Sequence, residues 1–263
     1  MRVAPLASIA LASTLAWRAH AEEIDQDDPN PLPRAISLPL ENNVYFGVGP
    51  NDDLKYDLKI KSVFPMGLGG GWHLFHRPIV QILAQPDPNP GQDGAFGLGD
   101  LEYQLYVSPP STKGLIWGLG PDLWFPTATA TALGTGKASV GVAGVVRLSA
   151  APWTGGVLAT QYWSYAGDPD RSSVSQMTLQ PHVIFDLPDG WFLTSSPILT
   201  ANWKASSGQV WTIPVGGGGG KHFEMGAQTL SVQLQGFYSV VQPEFAGRWQ
   251  LRFLVQLLFP RDA

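Results

Sequence analysis

Charged side chains recur at every second position along two stretches of this chain. The first stretch carries Lys55, Asp57, Lys59 and Lys61 between apolar residues, and the second carries Asp100, Glu102 and Gln104. Because successive side chains of a β-strand point to opposite faces, each stretch would place its charges on a single face. Charges gathered in this way can pair with one another, or they can select a solute by its charge.

The same alternation predicts which other ionisable side chains share that interior face. We predict that it carries Lys55, Asp57, Lys59, Lys61, Arg77, Asp100, Glu102, Asp122, His182, Asp186 and Arg252. Two interpretations stay open: salt bridges that stiffen a narrow interior, and a polarised constriction that selects solutes. A specific hypothesis is that Lys59 and Arg77 face Asp100 and Glu102 across this interior.

The sequence contains no clear set of catalytic side chains. The sequence has no G-x-S-x-G elbow, so a hydrolase would have to combine Ser164 or Ser195 with His182, and nothing singles these residues out. We therefore predict no catalytic residue.

Binding motifs for metals and cofactors are equally weak. His73 and His76 are three positions apart, which puts them on opposite faces of a strand and argues against a metal pair. The glycine run 216–220 before Lys221 lacks the residues of a phosphate-binding loop. We therefore predict no metal and no cofactor.

The elements that would position the charges are strands. The stretch 249–259 has an aromatic or aliphatic residue at every odd position, and its even positions include Gln250, Arg252 and Gln256. A strand with one apolar face that ends in Phe259 is typical of the closing strand of an outer-membrane barrel, although a soluble antiparallel sheet gives a similar alternation.

Alternation and turn residues predict about twelve strands, most of them long enough to cross a membrane when tilted. Their spans are 40–49, 53–65, 71–85, 96–108, 114–126, 138–150, 153–166, 174–187, 190–202, 209–219, 228–241 and 247–259.

Tryptophan placement and connection lengths favour the membrane barrel over a soluble sandwich. Tryptophans cluster near strand ends, as the aromatic girdles of a membrane barrel do. The predicted girdle consists of Trp72, Trp117, Trp153, Trp191, Trp203, Trp211, Trp249 and Phe259, and Trp124 is in phase with Asp122 and so points inward. Connections alternate between long ones, such as 86–95 and 127–137, and tight ones, such as 151–152, with 220–227 as a long exception.

Composition supports an exported all-β protein. The chain has 263 residues, of which only 14% are charged, with 30 glycines, 23 prolines and no cysteine. Its net charge of −5 argues against a nucleic-acid partner. Residues 1–21 read as a signal peptide that ends in Ala19-His20-Ala21, residues 22–39 as a flexible acidic segment, and residues 40–260 as the barrel.

Several phrases resemble a bacterial outer-membrane "transporter" family that is associated with the meta-pathway of phenol degradation. They are Pro39–Asn43, Gly97–Asp100, Ser108–Pro109, Trp117–Pro121, Phe125–Thr129, Leu133–Lys137, Gln180–Pro181, Gly190–Trp191, Ser196–Trp203, Trp211–Pro214 and Leu258–Pro260. The resemblance implies an outer-membrane barrel and, weakly, uptake of aromatic or other apolar compounds.

Together these observations predict an all-β, transmembrane, antiparallel up-and-down β-barrel of about twelve strands. We expect a monomeric, passive, porin-like channel or transporter for a small solute, not an enzyme, in the bacterial outer membrane. Its partners would be the lipid bilayer, the barrel-assembly machinery and the solute. The alternatives are a lipid-modifying outer-membrane enzyme, a structural barrel with no open path and a secreted soluble β-protein.

Overall fold

Fifteen antiparallel strands make up nearly all of the regular structure in the computed structural model, which describes residues 36–226 and 228–259. The predicted signal peptide and most of the predicted flexible segment lie outside these residues. The strands are β1 Ile36–Val48, β2 Asp53–Lys61, β3 Phe64–Gly69, β4 Trp72–Gln85, β5 Ala95–Leu98, β6 Leu101–Ser108, β7 Leu115–Phe125, β8 Lys137–Ala150, β9 Trp153–Gly167, β10 Ser175–Asp186, β11 Trp191–Ser195, β12 Leu199–Asn202, β13 Trp211–Met225, β14 Gln228–Val241 and β15 Trp249–Phe259.

These strands occupy twelve positions around a closed barrel. We call each position a stave, whether it is filled by one strand or by two strands in line. β2 and β3 pair with one side of β4, and β5 and β6 pair with its other side, so each pair forms one interrupted stave. β11 and β12 likewise share the place between β10 and β13. β15 closes the ring against β1, in register from Ile36 opposite Phe259 to Phe46 opposite Trp249. The predicted twelve-strand antiparallel barrel is confirmed.

The two ends of the barrel differ in the length of their connections. At one end the connections are 70–71, 109–114, 151–152, 187–190 and the turn that begins at 226, and at the other they are 49–52, 86–94, 126–136, 168–174, 203–210 and 242–248. We call these the short-turn end and the long-loop end. The long exception expected at 220–227 was wrong, because β13 continues to Met225 and glycines 216–220 pair residue by residue with β14.

The outer face of the barrel is apolar and carries most of the tryptophans. Aliphatic and aromatic side chains such as Val142, Leu193 and Phe253 are exposed at mid-strand. Trp72, Trp117, Trp153 and Trp191 are exposed near the short-turn end, and Trp163, Trp203 and Trp249 near the long-loop end, as expected for two aromatic girdles. Such an exterior is suited to lipid, because apolar side chains on every stave would be poorly solvated by water.

Within the part of the chain that the structure describes, none of the helical segments has the length and apolar character of a membrane-spanning helix.

The interior at the short-turn end is packed with apolar side chains. This core consists of Val63, Phe75, Tyr106, Ile116, Ala143, Val145 and Leu158, all of which are buried. The middle strands β8 and β9 carry glycine and alanine on both faces, yet their valines and leucines still divide cleanly. Val140, Val142 and Val146 face outward, whereas Val145 and Leu158 face the core. The core narrows the barrel from this end and leaves open space at the other.

Candidate functional site

A polar cavity of about 460 Å³ lies inside the long-loop half of the barrel. A second cavity of only about 40 Å³ lies below it, toward the short-turn end. The two cavities share Lys61, Arg77, Leu158 and Gln180 in their linings, so the interior narrows at that level. The larger cavity has room for a small organic molecule, whereas the smaller one has room for water alone.

One wall of the larger cavity carries charged side chains. Lys59 Nζ lies 3.4 Å from Asp57 Oδ2, and the Arg77 guanidinium donates to Gln104 Oε1. Gln104 in turn donates to a carboxylate oxygen of Glu102. These side chains alternate with lipid-facing residues on β2, β4 and β6, which is why the sequence pattern revealed them.

The facing wall is polar but uncharged. β9, β10 and β12 contribute hydroxyl and amide side chains to the lining: Thr160, Tyr162, Gln176, Thr178, Gln180 and Thr200. A solute in the cavity would therefore meet charges on one side and neutral hydrogen-bonding groups on the other. In the sequence Gln176, Thr178 and Gln180 alternate with apolar residues, whereas Thr160 and Tyr162 lie in a stretch with glycine and alanine on both faces, so alternation did not mark them.

Aromatic rings also line the cavity. Trp124 and Tyr162 stack with their centroids 4.8 Å apart and their planes at 24°, and the indole Nε1 donates to Asp122 Oδ2 at 3.3 Å. Tyr45 lies on the charged side, with Lys55 Nζ 5.9 Å from its ring centroid. The inward orientation expected for Trp124 is what the structure shows.

A buried polar network surrounds the smaller cavity and reaches the larger one at Lys61. We call Glu41, Asn43, Lys61, Ser196 and Arg252 the floor. Lys61 Nζ lies 2.7 Å from Glu41 Oε2, and Arg252 Nε donates to Asn43 Oδ1 at 3.1 Å. Arg252 Nη1 also donates to the Ser196 carbonyl at 2.8 Å, so its side chain links β15 to the interruption between β11 and β12. Buried charges that are paired and hydrogen-bonded in this way resist displacement.

The connection 126–136, which we call the mouth loop, folds over the cavity. Its residues Ala132, Leu133, Gly134 and Thr135 contribute to the cavity lining, and Leu133 is buried. The buried carboxylate of Asp100 holds this loop from below. Its Oδ1 accepts from the Ala128 amide at 3.2 Å, and its Oδ2 accepts from the Thr135 amide at 2.7 Å and from the Thr135 hydroxyl at 2.9 Å.

Arg171 holds the mouth loop from the outside. Its guanidinium donates to the carbonyls of Thr131 and Thr135, each at 3.2 Å, and to the carbonyl of Gly134. Arg171 was missed in the sequence because it lies in another long loop, and only the folded barrel brings it to residues about forty positions earlier.

Ten of the eleven predicted interior residues lie inside the barrel, in three groups. Seven of them line the larger cavity: Lys55, Asp57, Lys59, Lys61, Arg77, Asp100 and Glu102. His182 and Arg252 line the smaller cavity, and Asp122 is fully buried beside Trp124. Asp186 departs from the expectation, because it is the last residue of β10 and is exposed at the short-turn rim.

The hypothetical pairing of Lys59 and Arg77 with Asp100 and Glu102 takes a different form. All four line the same cavity, but Lys59 is beside Asp57 and Arg77 donates to Gln104. Asp100 is occupied by the mouth loop. The charged side chains therefore interact with neighbours along one wall. Asp100 instead holds the mouth loop, a role that alternation in the sequence could not show.

The side chains considered for a hydrolase are not brought together. Ser195 Oγ donates to the Gly216 carbonyl at 2.6 Å, on the face opposite to His182. Ser164 lies eight positions from Gly156, the partner of His182 in the ladder, which is about 26 Å along the strand. His76 Nδ1 lies 2.7 Å from the Tyr103 hydroxyl on the outer face, away from the interior.

A closed twelve-stave barrel with an apolar exterior and a polar interior has the architecture of bacterial outer-membrane channels. Among solved structures, the chain is similar to the COG4313 outer membrane channel from Pseudomonas putida F1, with a TM-score of 0.65 and 15% identity over 89% of this chain and 99% of that one. It is also similar to the NanC porin, with a TM-score of 0.51 and 10% identity over 85% and 100%.

The outer membrane phospholipase A from Escherichia coli aligns with a TM-score of 0.44 and 13% identity over 89% and 95% of the two chains, which is too distant to support an inference about activity. At these identities the similarities to the channel and the porin establish the fold alone. No protein-family model and no curated protein sequence matches the chain.

Proposed function

We propose that this protein is a passive outer-membrane channel for a small solute and performs no covalent chemistry. The observation that carries the proposal is the cavity of about 460 Å³ at the long-loop end of a barrel whose outer face is apolar. Such a barrel is suited to a membrane, and such a cavity is suited to one small molecule at a time.

The solute that the lining fits best is a small aromatic or otherwise apolar compound. The stacked Trp124–Tyr162 pair and the ring of Tyr45 offer flat apolar surfaces, and Ile79 and Leu83 add aliphatic ones. Aromatic faces bind aromatic solutes with little loss of side-chain entropy. The resemblance to the family associated with phenol degradation supports the same solute class.

The charged wall and the mouth loop would select what enters. Lys55 and Lys59 face the cavity from one side, and the neutral Thr160 and Thr178 face it from the other. A solute with a polar group would therefore turn that group toward one of these two walls. Passage beyond the floor requires its side chains to move, since the cavity below has a volume of only about 40 Å³. This predicts a narrow, low-conductance path.

Location and orientation follow from the same barrel. We infer export by the signal peptide, insertion as a monomer by the barrel-assembly machinery, and a periplasmic position for the short-turn end. The long loops, including the mouth loop, would then face the exterior, as is usual for outer-membrane barrels.

Liposome swelling with solutes of increasing size tests this proposal. Proteoliposomes should admit small aromatic solutes and small sugars faster than protein-free liposomes, and should exclude oligosaccharides too large for the cavity. Heat-modifiable gel migration would verify that the barrel is folded in each preparation. Equal swelling with and without folded protein, for every solute, would contradict the channel.

A further inference from the structure

The stave formed by β11 and β12 loses its pairing with both neighbours at residues 196–198. On one side Val183 pairs with Ser195 and Leu179 with Leu199, so the same register continues across the interruption and sets Pro181 opposite Pro197. No residue is inserted or deleted there. The interruption is therefore a local loss of ladder pairing at constant register and not a shift of register.

The other side of the same stave shows an equivalent gap. Thr194 pairs with Gly218 and Thr200 with Thr212, and this register sets Pro197 opposite Val215 and Ile198 opposite Pro214. Within the described residues, no ladder pair joins 195–199 to 213–217. We call residues 180–182, 196–198 and 213–216 the seam.

Three prolines explain why ladder pairing is interrupted here. Pro181, Pro197 and Pro214 lie at one level on three neighbouring staves. Proline has no N–H to donate to a ladder, and prolines are usually confined to edges and bulges of sheets. A closed barrel has no edge, so three prolines at one level weaken its wall locally.

The backbone at the seam is held from inside the barrel. The Ser196 amide donates to Gln235 Oε1 at 3.1 Å, and Arg252 Nη1 donates to the Ser196 carbonyl at 2.8 Å. Ser195 Oγ closes one end of the gap by donating to the Gly216 carbonyl. Because side chains of the interior satisfy these groups, the stave does not need the ladder to its neighbours at this level.

The seam lies between the cavity and the lipid-facing surface. Ile198 and Gln180 line the larger cavity from inside. By alternation Pro181, Pro197 and Val215 face outward, and Val183 and Leu193 are exposed beside them. An apolar solute that leaves the cavity through the seam therefore passes apolar side chains. A solute that leaves along the barrel axis must cross the charged floor and the packed core. Crossing buried charges is unfavourable for an apolar molecule.

We propose that the seam is a lateral portal through which an apolar solute leaves the cavity for the surrounding lipid. This rests on the proposed channel function and adds to it a route and a substrate class: apolar molecules exit sideways, and small ions follow the axis. Separation of staves that share no ladder bonds at this level opens the portal, and the Ile198 and Pro197 side chains cover it at rest.

A cross-link over the seam tests the portal. The chain contains no cysteine, so Pro197→Cys with Val215→Cys introduces the sole thiol pair. The pair is bridged by oxidation or by a short bis-methanethiosulfonate in bacteria that express the protein. Entry of 1-N-phenylnaphthylamine, an apolar aromatic probe that fluoresces in lipid and is held back by an intact outer membrane, is followed together with ion conductance of the purified variant. We expect bridging to abolish the protein-dependent entry of the probe, reduction to restore it, and ion conductance to stay unchanged.

The matched control is Val146→Cys with Val157→Cys. These residues are ladder partners, and Val157 is also the partner of Pro181, so the control pair lies at the same level in an intact wall. Bridging it should change neither readout. A second variant, Pro181→Val with Pro197→Val, restores two backbone donors at the seam and should slow entry of the probe without any cross-link.

Each other outcome has a defined meaning. Unchanged probe entry after bridging, or a parallel fall of conductance and entry, would overturn the portal. A wild-type protein that conducts ions without accelerating the probe would overturn the portal and leave the channel intact. A folded protein that does neither would overturn the proposed function as well.

Discussion

Removal of the Asp100 carboxylate should release the mouth loop from the cavity. In Asp100→Ala the Ala128 amide, the Thr135 amide and the Thr135 hydroxyl lose their acceptor. At about 1 kcal/mol for each hydrogen bond, the closed loop loses about 3 kcal/mol relative to the open one. Since 1.4 kcal/mol corresponds to a factor of ten, the ratio of open to closed loop rises by about 100-fold.

Limited proteolysis should detect this release as faster cleavage within 126–136, and single-channel recording should detect it as a faster onset of block by small aromatic solutes, because the loop no longer covers the cavity. Gly134→Ala provides an independent variant, since an added Cβ would lie 2.4 Å from both Asp100 Oδ1 and the Ala128 Cβ and would push the loop away. Asp170→Ala is the control, because it removes a carboxylate from an exposed neighbouring loop position outside these contacts. Wild-type cleavage and a wild-type onset of block in both Asp100→Ala and Gly134→Ala would refute the role of Asp100 in holding the mouth loop.

Three further predictions concern the floor, the outer face and the aromatic lining. Arg252→Met leaves Glu41 in a buried site with one cation fewer, so the free energy of unfolding should fall by about 3–5 kcal/mol, measured by urea unfolding in lipid. The exposed Arg248→Met is its control, and equal stability of the two variants would contradict the floor network. Phe253→Arg places a charge at mid-strand on the lipid face and should lower the free energy of unfolding by about 2–4 kcal/mol, whereas Tyr165→Arg near the long-loop end should lower it by about 0–1 kcal/mol. Comparable losses would argue against a bilayer around β15. Trp124→Ala removes the stack on Tyr162 and should weaken the block of ion current by aromatic solutes by about 0.5–1.5 kcal/mol, while block by sugars stays the same.

The barrel could be predicted from the sequence because alternation is a local property. In β15 the exposed Trp249 and the buried Arg252 occupy the faces that their positions predict. The extension of β13 to Met225 was missed because glycines 216–220 carry no side chain and so show no alternation. Their backbone pairs with β14 all the same, which only the neighbouring strand can reveal.

The site was less predictable, because its important contacts are distant in sequence. Asp100 was placed correctly toward the interior, but its bonds to Thr135 depend on how a loop thirty-five residues later folds back. Arg171 has no alternation to mark it. The prolines of the seam are visible in the sequence, yet their common level appears only once the register of three staves is known. Local patterns thus predict which face a residue occupies, and tertiary pairing decides what it contacts.

Current through single molecules in a planar lipid bilayer tests the central claim most directly. Folded, purified protein should produce discrete steps of low, uniform conductance that small aromatic solutes reduce, because the path narrows from about 460 Å³ to about 40 Å³ at the floor. The onset of that reduction should be faster when Asp100→Ala frees the mouth loop. A folded, inserted barrel that gives no steps, with wild-type and variant alike, would contradict the account of this protein as a channel.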